Sequence, residues 1–225
     1  MKIIKDIRIY KSDVKNTEVS CPRSFSGRKL NAIIMRIVMK LRENKFSFGE
    51  FDHLYINFTT CMVDGGIALA KRSIDRYHPW YRYYDVNVSE TLFSKLEMPE
   101  SSLEIIKLIE RVLIEKFSTE NFNETLIHSC FVEALEQGED MLMKFKEKVT
   151  SKRKAIIYLR YLDNGQFFPL LRVLDMDNNI LFETDMPKME ELIYLGDIQV
   201  SSKKVTVKPR KNSFTTSIQP LSFEY

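Results

Sequence analysis

The sequence predicts an α+β protein: mixed or antiparallel sheet, a central helical block and a C-terminal β-meander. Three observations carry this. Both ends of the chain hold short runs rich in aromatic and β-branched residues, several of them alternating at the two-residue period of a strand. The middle repeats apolar residues at helical spacing. Asn164-Gly165 and Asp177-Asn178-Asn179 place two hairpin turn signals inside one apolar stretch.

Taken in order, KIIKDIRIY reads as an opening strand and CPRSFSG as the end of a polar loop. LNAIIMRIVMKLREN carries Leu30, Ile33, Ile34, Ile37, Val38 and Leu41 on one helical face, with Arg36, Lys40 and Arg42 off it and Ser26 as its N-cap. FDHLYINFTTCMV is a strand, and Asp64-Gly65-Gly66 a turn. IALAKRSI and WYRYYDVNV follow as two more strands, kept from helix by Pro79. Ser89 caps a short helix, ETLFSKL. A longer helix after Pro99 buries Ile105, Ile106, Ile109, Val112, Leu113 and Phe117. The next presents Phe122, Leu126, Phe131, Ala134 and Leu135 and ends at Gly138. EDMLMKFKEKV reads as one further helix. The stretch from Ala155 to Asp185 is the meander, with Asn164-Gly165 as a type I′ turn. LIYLGDIQV and KVTVKPR add two strands. The chain reads as a single α+β domain over 1–225. The alternative arrangement is two lobes, 1–96 and 141–225, joined by the helical segment 97–140.

Composition bounds the class. The chain has 225 residues, 44% apolar and 29% charged, the balance of an ordinary globular protein. No stretch approaches a membrane span, and Lys5, Asp6 and Arg8 interrupt the apolar run a signal peptide needs. The expectation is a cytoplasmic protein with no membrane partner. Cys21, Cys61 and Cys130 are scattered, without the spacing of a zinc ribbon, and read as buried small hydrophobes. The net charge of +3 hides an uneven distribution. Residues 1–96 carry 17 Lys and Arg against 10 Asp and Glu, residues 97–140 carry 3 against 11, and residues 141–225 carry 14 against 10.

Motifs for chemistry are missing. GxGxxG, GxxxxGK, GxSxG and HExxH do not occur. His53, His78 and His128 lie in different elements, and the plain reading of each is structural. DMDNN faintly resembles a calcium loop but lacks its glycine and its distal glutamate, so a polar hairpin turn is the simpler reading. The expectation is therefore no catalytic residue, no metal and no cofactor.

Two features point to binding instead. RYHPWYRYYDV holds the only tryptophan and four of the ten tyrosines. On a regular strand Trp80, Arg82, Tyr84, Val86 and Val88 share the core face, leaving Tyr81, Tyr83 and Asp85 on the other beside the loop of Arg76, Tyr77 and His78. Those six are candidate partner contacts, because interfaces and their hot spots favour Tyr, Trp and Arg. The second feature is the acidic block, where Glu133, Glu136 and Asp140 share a face if the helix continues past Gly138. With Glu139 they could dock on a basic protein, although a solvated helix surface is the plainer reading. The same aromatic stretch, residues 76–84, together with KEKVTSKRK and KKVTVKPRK, also has the ingredients of a nucleic-acid module. The small net charge and the acidic block argue against nucleic acid as partner. An enzyme of unrecognised type is the remaining alternative.

FDHLYINFTTCMVDGG, followed by RYHPWYRYYDVNVSETLFSKL and a Leu/Ile/Glu-rich helix, resembles immunity proteins of bacterial polymorphic-toxin systems. So does the tail IQVSSKKVTVKPRKNSF after DNNILFETD. The resemblance covers most of residues 50–212 and carries no catalytic motif. It implies a cytoplasmic inhibitor that binds a cognate toxin and blocks its active surface, with no catalysis and no cofactor.

Overall fold

The computed structural model of the protein describes residues 1–14, 23–61, 63, 66–70, 77–211 and 217–225. The fold is α+β, with mixed and antiparallel sheets and a central helical block. The chain divides into two compact units, Met1–Gly138 and Glu139–Tyr225. The boundary falls at Gly138, so the helical segment 97–138 belongs to the first unit rather than standing between two lobes.

The first unit is built on a five-stranded sheet. β1 (Asp6–Lys11), β3 (His53–Thr59) and β5 (Tyr81–Asn87) run parallel at its centre. β2 (Arg23–Ser24) and β4 (Ile67–Leu69) flank them antiparallel, in the order β2-β1-β3-β5-β4. A parallel neighbour requires a crossover connection, and α1 (Arg28–Glu43) supplies it between β1 and β3. β3 lies in the middle and is buried at every position after His53, shielded on one face by the core and on the other by the side chains of its neighbouring strands. Ile7, Ile9, Leu54, Ile56, Phe58, Ile67 and Val86 are all 3% exposed or less and form the apolar face.

α1 buries Ala32 and Arg36 as well as the predicted Leu30, Ile34, Ile37, Val38 and Leu41, while Ile33 is only half-buried. Arg36 was expected off the buried face. The helix packs against both β1 and the later helix of residues 124–137, so its covered surface is wider than one stripe. Its N-cap is Gly27 rather than Ser26, whose hydroxyl donates to the Asn31 side chain instead.

After β5, Ser89 caps α2 (Glu90–Lys95) by accepting from the Leu92 amide, as predicted. α3 (Ser102–Phe117) buries all six residues assigned to its core face. α4 (Glu124–Gln137) buries Ile127, Cys130, Phe131 and Ala134. Phe131 and Ala134 are buried as expected, but Leu126 and Phe122 are half-buried, Leu135 is exposed at 40%, and Ile127 and Cys130 complete the stripe instead. Gly138, at φ +52°, ends the helix.

The second unit holds an antiparallel sheet of β6 (Met143–Val149), β7 (Lys154–Tyr161), β8 (Phe167–Leu174) and β9 (Ile180–Asp185) in sequential order. A three-stranded sheet of β10 (Ile198–Val200), β11 (Lys204–Val207) and β12 (Leu221–Glu224) accompanies it. β6 replaces the helix expected over residues 139–149. Its MKFKEKV alternates, and it pairs along β7 with a bulge between Lys144 and Lys146 that shifts which side chains face inward.

The β7–β8 turn has only Gly165 at positive φ, with Asn164 in an ordinary conformation. The Gly165 amide donates to the Leu162 carbonyl, and the Leu162 amide to the Gln166 carbonyl. This is a type I turn closed by a glycine bulge, not the expected type I′ turn. The β8–β9 turn is built the same way with Asn178 at φ +69°, and Asp175 accepts from the Asp177 and Asn179 amides. β4 ends at Leu69, so the rest of the strand expected over 67–74 falls partly outside the described residues.

Candidate functional site

In a sheet, strand partners place their side chains side by side. Arg8, Tyr55 and Tyr83 are in register across β1, β3 and β5, with Asp6, His53 and Tyr81 one step before them and Tyr10, Asn57 and Asp85 one step after. All of these positions lie opposite the Ile/Leu/Phe face. Four tyrosines therefore meet. Tyr81 stacks on Tyr55 with ring centres 4.8 Å apart, and Tyr83 meets Tyr55 edge-on at 5.1 Å. Tyr10 closes the group at 5.4 Å from Tyr55 and 5.5 Å from Tyr83. The Arg8 guanidinium sits 5.5 Å from the centre of the Tyr55 ring and is held by Asp6 at 2.6 Å. Burial, helped by the neighbouring Tyr10, Asp6 and Tyr81 and opposed by Arg8, raises the Tyr55 hydroxyl above its ordinary value. The phenol is thus neutral at physiological pH.

The edge of this cluster is the loop before β5. Tyr77 is 85% exposed and His78 is exposed. The His78 ring meets Trp80 edge-on at 4.9 Å and lies over Tyr81 at 6.2 Å. Trp80 was expected in the core and is instead 37% exposed. It precedes the strand, and its carbonyl accepts from the Asp52 and His53 amides, which holds the loop against the start of β3. Tyr84 does face inward, packing its ring against Phe117 at 5.2 Å.

Below the loop, Asp52 is buried at 4% exposure and joins three elements. Its carboxylate accepts from Lys5 at 2.7 Å and lies 2.6 Å from His53 Nδ1. Burial alone would raise this carboxyl, but the contacts with Lys5 and His53 outweigh it and hold it below its ordinary value. The pair fixes the orientation of the His53 ring.

Of the predicted contacts, Tyr77, His78, Tyr81 and Tyr83 are brought together here, and Arg76 lies outside the described residues. Asp85 is corrected: it is 6% exposed and accepts from Asn57 Nδ2 at 2.8 Å in a buried pair. A buried amide donor and a carboxylate acceptor can pair inside a sheet, and only the register reveals that these two meet.

α4 ends at Gln137, so the condition for Glu133, Glu136 and Asp140 to share one helical face is not met. Glu133 and Glu136 are on α4, whereas Glu139 and Asp140 follow the break at Gly138 and belong to the second unit. Glu133 is paired with Lys40 at 2.6 Å, and Glu139 accepts from the Asp163 amide. Lys11, Arg111 and His128 hold Glu97, Glu115 and Glu110 in the same block.

Sequence reasoning missed Arg8, Tyr10 and Tyr55. Each stands on the same side of its own strand, but which strands are neighbours was not legible. Cys130 is buried, and burial pushes its thiol up to about 11; Cys61 is half-buried and Cys21 lies outside the described residues. Among the described residues no group of three or more His, Cys, Asp or Glu is placed to hold a metal ion, and no helix is long and apolar enough to cross a membrane. Compared with protein-family models, with curated proteins and with solved structures, the chain finds no match in any of the three.

Proposed function

We propose that this chain is a protein-binding inhibitor of the immunity-protein kind, and that it grips its partner, a cognate toxin, through the tyrosine face of the first unit. The observation that carries the reading is the convergence of Tyr10, Tyr55, Tyr81, Tyr83 and Arg8 on one sheet face, with Tyr77, His78 and Trp80 at its exposed edge. Tyr and Trp offer large contact area for few rotatable bonds, and hot spots favour Tyr, Trp and Arg. Ring packing restrains the four tyrosines before any partner arrives, which lowers the entropic cost of binding.

The test is co-expression with a toxin encoded beside this chain. The expected result is a co-purifying complex and restored growth. Neither complex nor rescue would overturn the proposal.

A further inference from the structure

The two basic clusters of the sequence meet in the second unit, through turns of one design. Thr150-Ser151-Lys152-Arg153 joins β6 to β7, and Ser201-Ser202-Lys203-Lys204 joins β10 to β11. In the first turn the Thr150 amide donates to the Arg153 carbonyl at 2.9 Å and its hydroxyl to the same carbonyl at 3.0 Å. In the second the Ser201 amide and hydroxyl donate to the Lys204 carbonyl at 2.9 and 3.1 Å. Each hydroxyl also accepts from the lysine amide two residues on. The hydroxyl thus closes the turn and leaves Lys152 in the first and Lys203 and Lys204 in the second exposed.

Tyr225 ties the two turns together. Its amide donates to the Lys203 carbonyl at 3.0 Å and its hydroxyl to the Ser201 carbonyl at 2.7 Å. Its ring lies 4.9 Å from the Arg153 guanidinium and 5.8 Å from the Phe182 ring.

The same end of the four-stranded sheet exposes aliphatic side chains. Val149 pairs with Lys154, Lys154 with Leu174 and Leu174 with Ile180, so the ends of these strands form one row. Val149, Met176, Ile180 and Leu181 are 50%, 44%, 55% and 47% exposed there. Glu224, beside Lys204 in register, and the exposed Asp177 are the acids that flank the row. The carboxylate of Asp175 is taken up by its own turn.

The composition of this surface selects its partner. Protein interfaces are depleted in lysine, and single-stranded nucleic acid needs bare aromatic faces, whereas the Tyr225 ring already holds Arg153 and Phe182. Exposed aliphatic tips among lysines match the boundary between anionic headgroups and acyl chains, where neither signal alone anchors a protein. We propose that this end of the second unit binds an anionic lipid surface. It lies on that surface without crossing it, so no spanning helix is needed. The inference is independent of the toxin-binding reading, which rests on the first unit.

The experiment is flotation of the full chain with vesicles of phosphatidylcholine alone, or with one third phosphatidylglycerol. The expected result is binding to the anionic vesicles only, weakened by salt. Lys152→Gln with Lys203→Gln should weaken it roughly 25-fold, at about fivefold per surface cation. Ile180→Asp with Leu181→Asp should abolish it. All four positions are exposed, and circular dichroism of each variant checks the fold. Failure to bind anionic vesicles, or binding that these substitutions leave unchanged, would overturn the proposal. So would a shift of a single-stranded oligouridine probe that depends on Lys152 and Lys203 without vesicle binding, because it would identify the surface as one for nucleic acid.

Discussion

Asp52 shows how one residue sets the geometry of the candidate face. Its carboxylate is buried and in contact with Lys5 and His53, and its backbone ties the Trp80 loop to β3. Because its folded carboxyl is held low, its contribution is present above the ordinary carboxylate range and is lost as pH falls through the lowered value. Asp52→Asn should therefore destabilise the protein at pH 7 by about 1–3 kcal/mol, towards the lower end because Lys5 is 57% exposed. The difference from wild type should shrink below about pH 4. Urea denaturation at pH 7 and at pH 3 measures both. An equal difference at the two values would show that the charge on Asp52 is not what stabilises the loop. None of this was legible in the sequence. His53 and Asp52 were visible as neighbours, but Lys5 is distant along the chain, and only the parallel pairing of β1 with β3 brings it to them.

At the scale of elements, local signals were read well where the chain acts alone. The Ser89 cap, the six core positions of α3 and the helix stop at Gly138 follow from spacing and capping chemistry. Reading failed where a neighbour overrides local preference. Pairing with β7 makes β6 a strand where a helix was expected, and α1 and α3 bring Ile127 and Cys130 of α4 into its buried stripe in place of Leu126 and Leu135. Gly196 is a third case. A Cβ built there would stand 2.3 Å from the Pro209 carbonyl oxygen and 2.4 Å from its carbon, both backbone atoms. The Gly196 amide also donates to the Lys208 carbonyl at 2.6 Å. Gly196→Ala should force the chain before β10 away from the segment after β11 and cost about 1–3 kcal/mol. A denaturation midpoint indistinguishable from wild type would contradict this close approach.

For the molecule as a whole, the two units carry different surfaces, and the sequence revealed the ingredients of each better than their arrangement. The aromatic stretch was visible as a binding candidate, but its partners Arg8, Tyr10 and Tyr55 arrive from two other strands. Part of the acidic block reads as one helical face, but α4 ends at Gln137 before Glu139 and Asp140. The central claim is that the tyrosine face and its exposed edge bind a partner protein. Tyr77 and Trp80 are the most direct probes, because both are exposed and neither belongs to the apolar core. Titration calorimetry should compare wild type with Tyr77→Ala/Trp80→Ala, using the proposed partner, a toxin domain that co-purifies with the chain. Loss of one hot-spot side chain predicts a Kd raised at least about 30-fold, with the thermal midpoint unchanged; an affinity equal to wild type would contradict the assignment of this face.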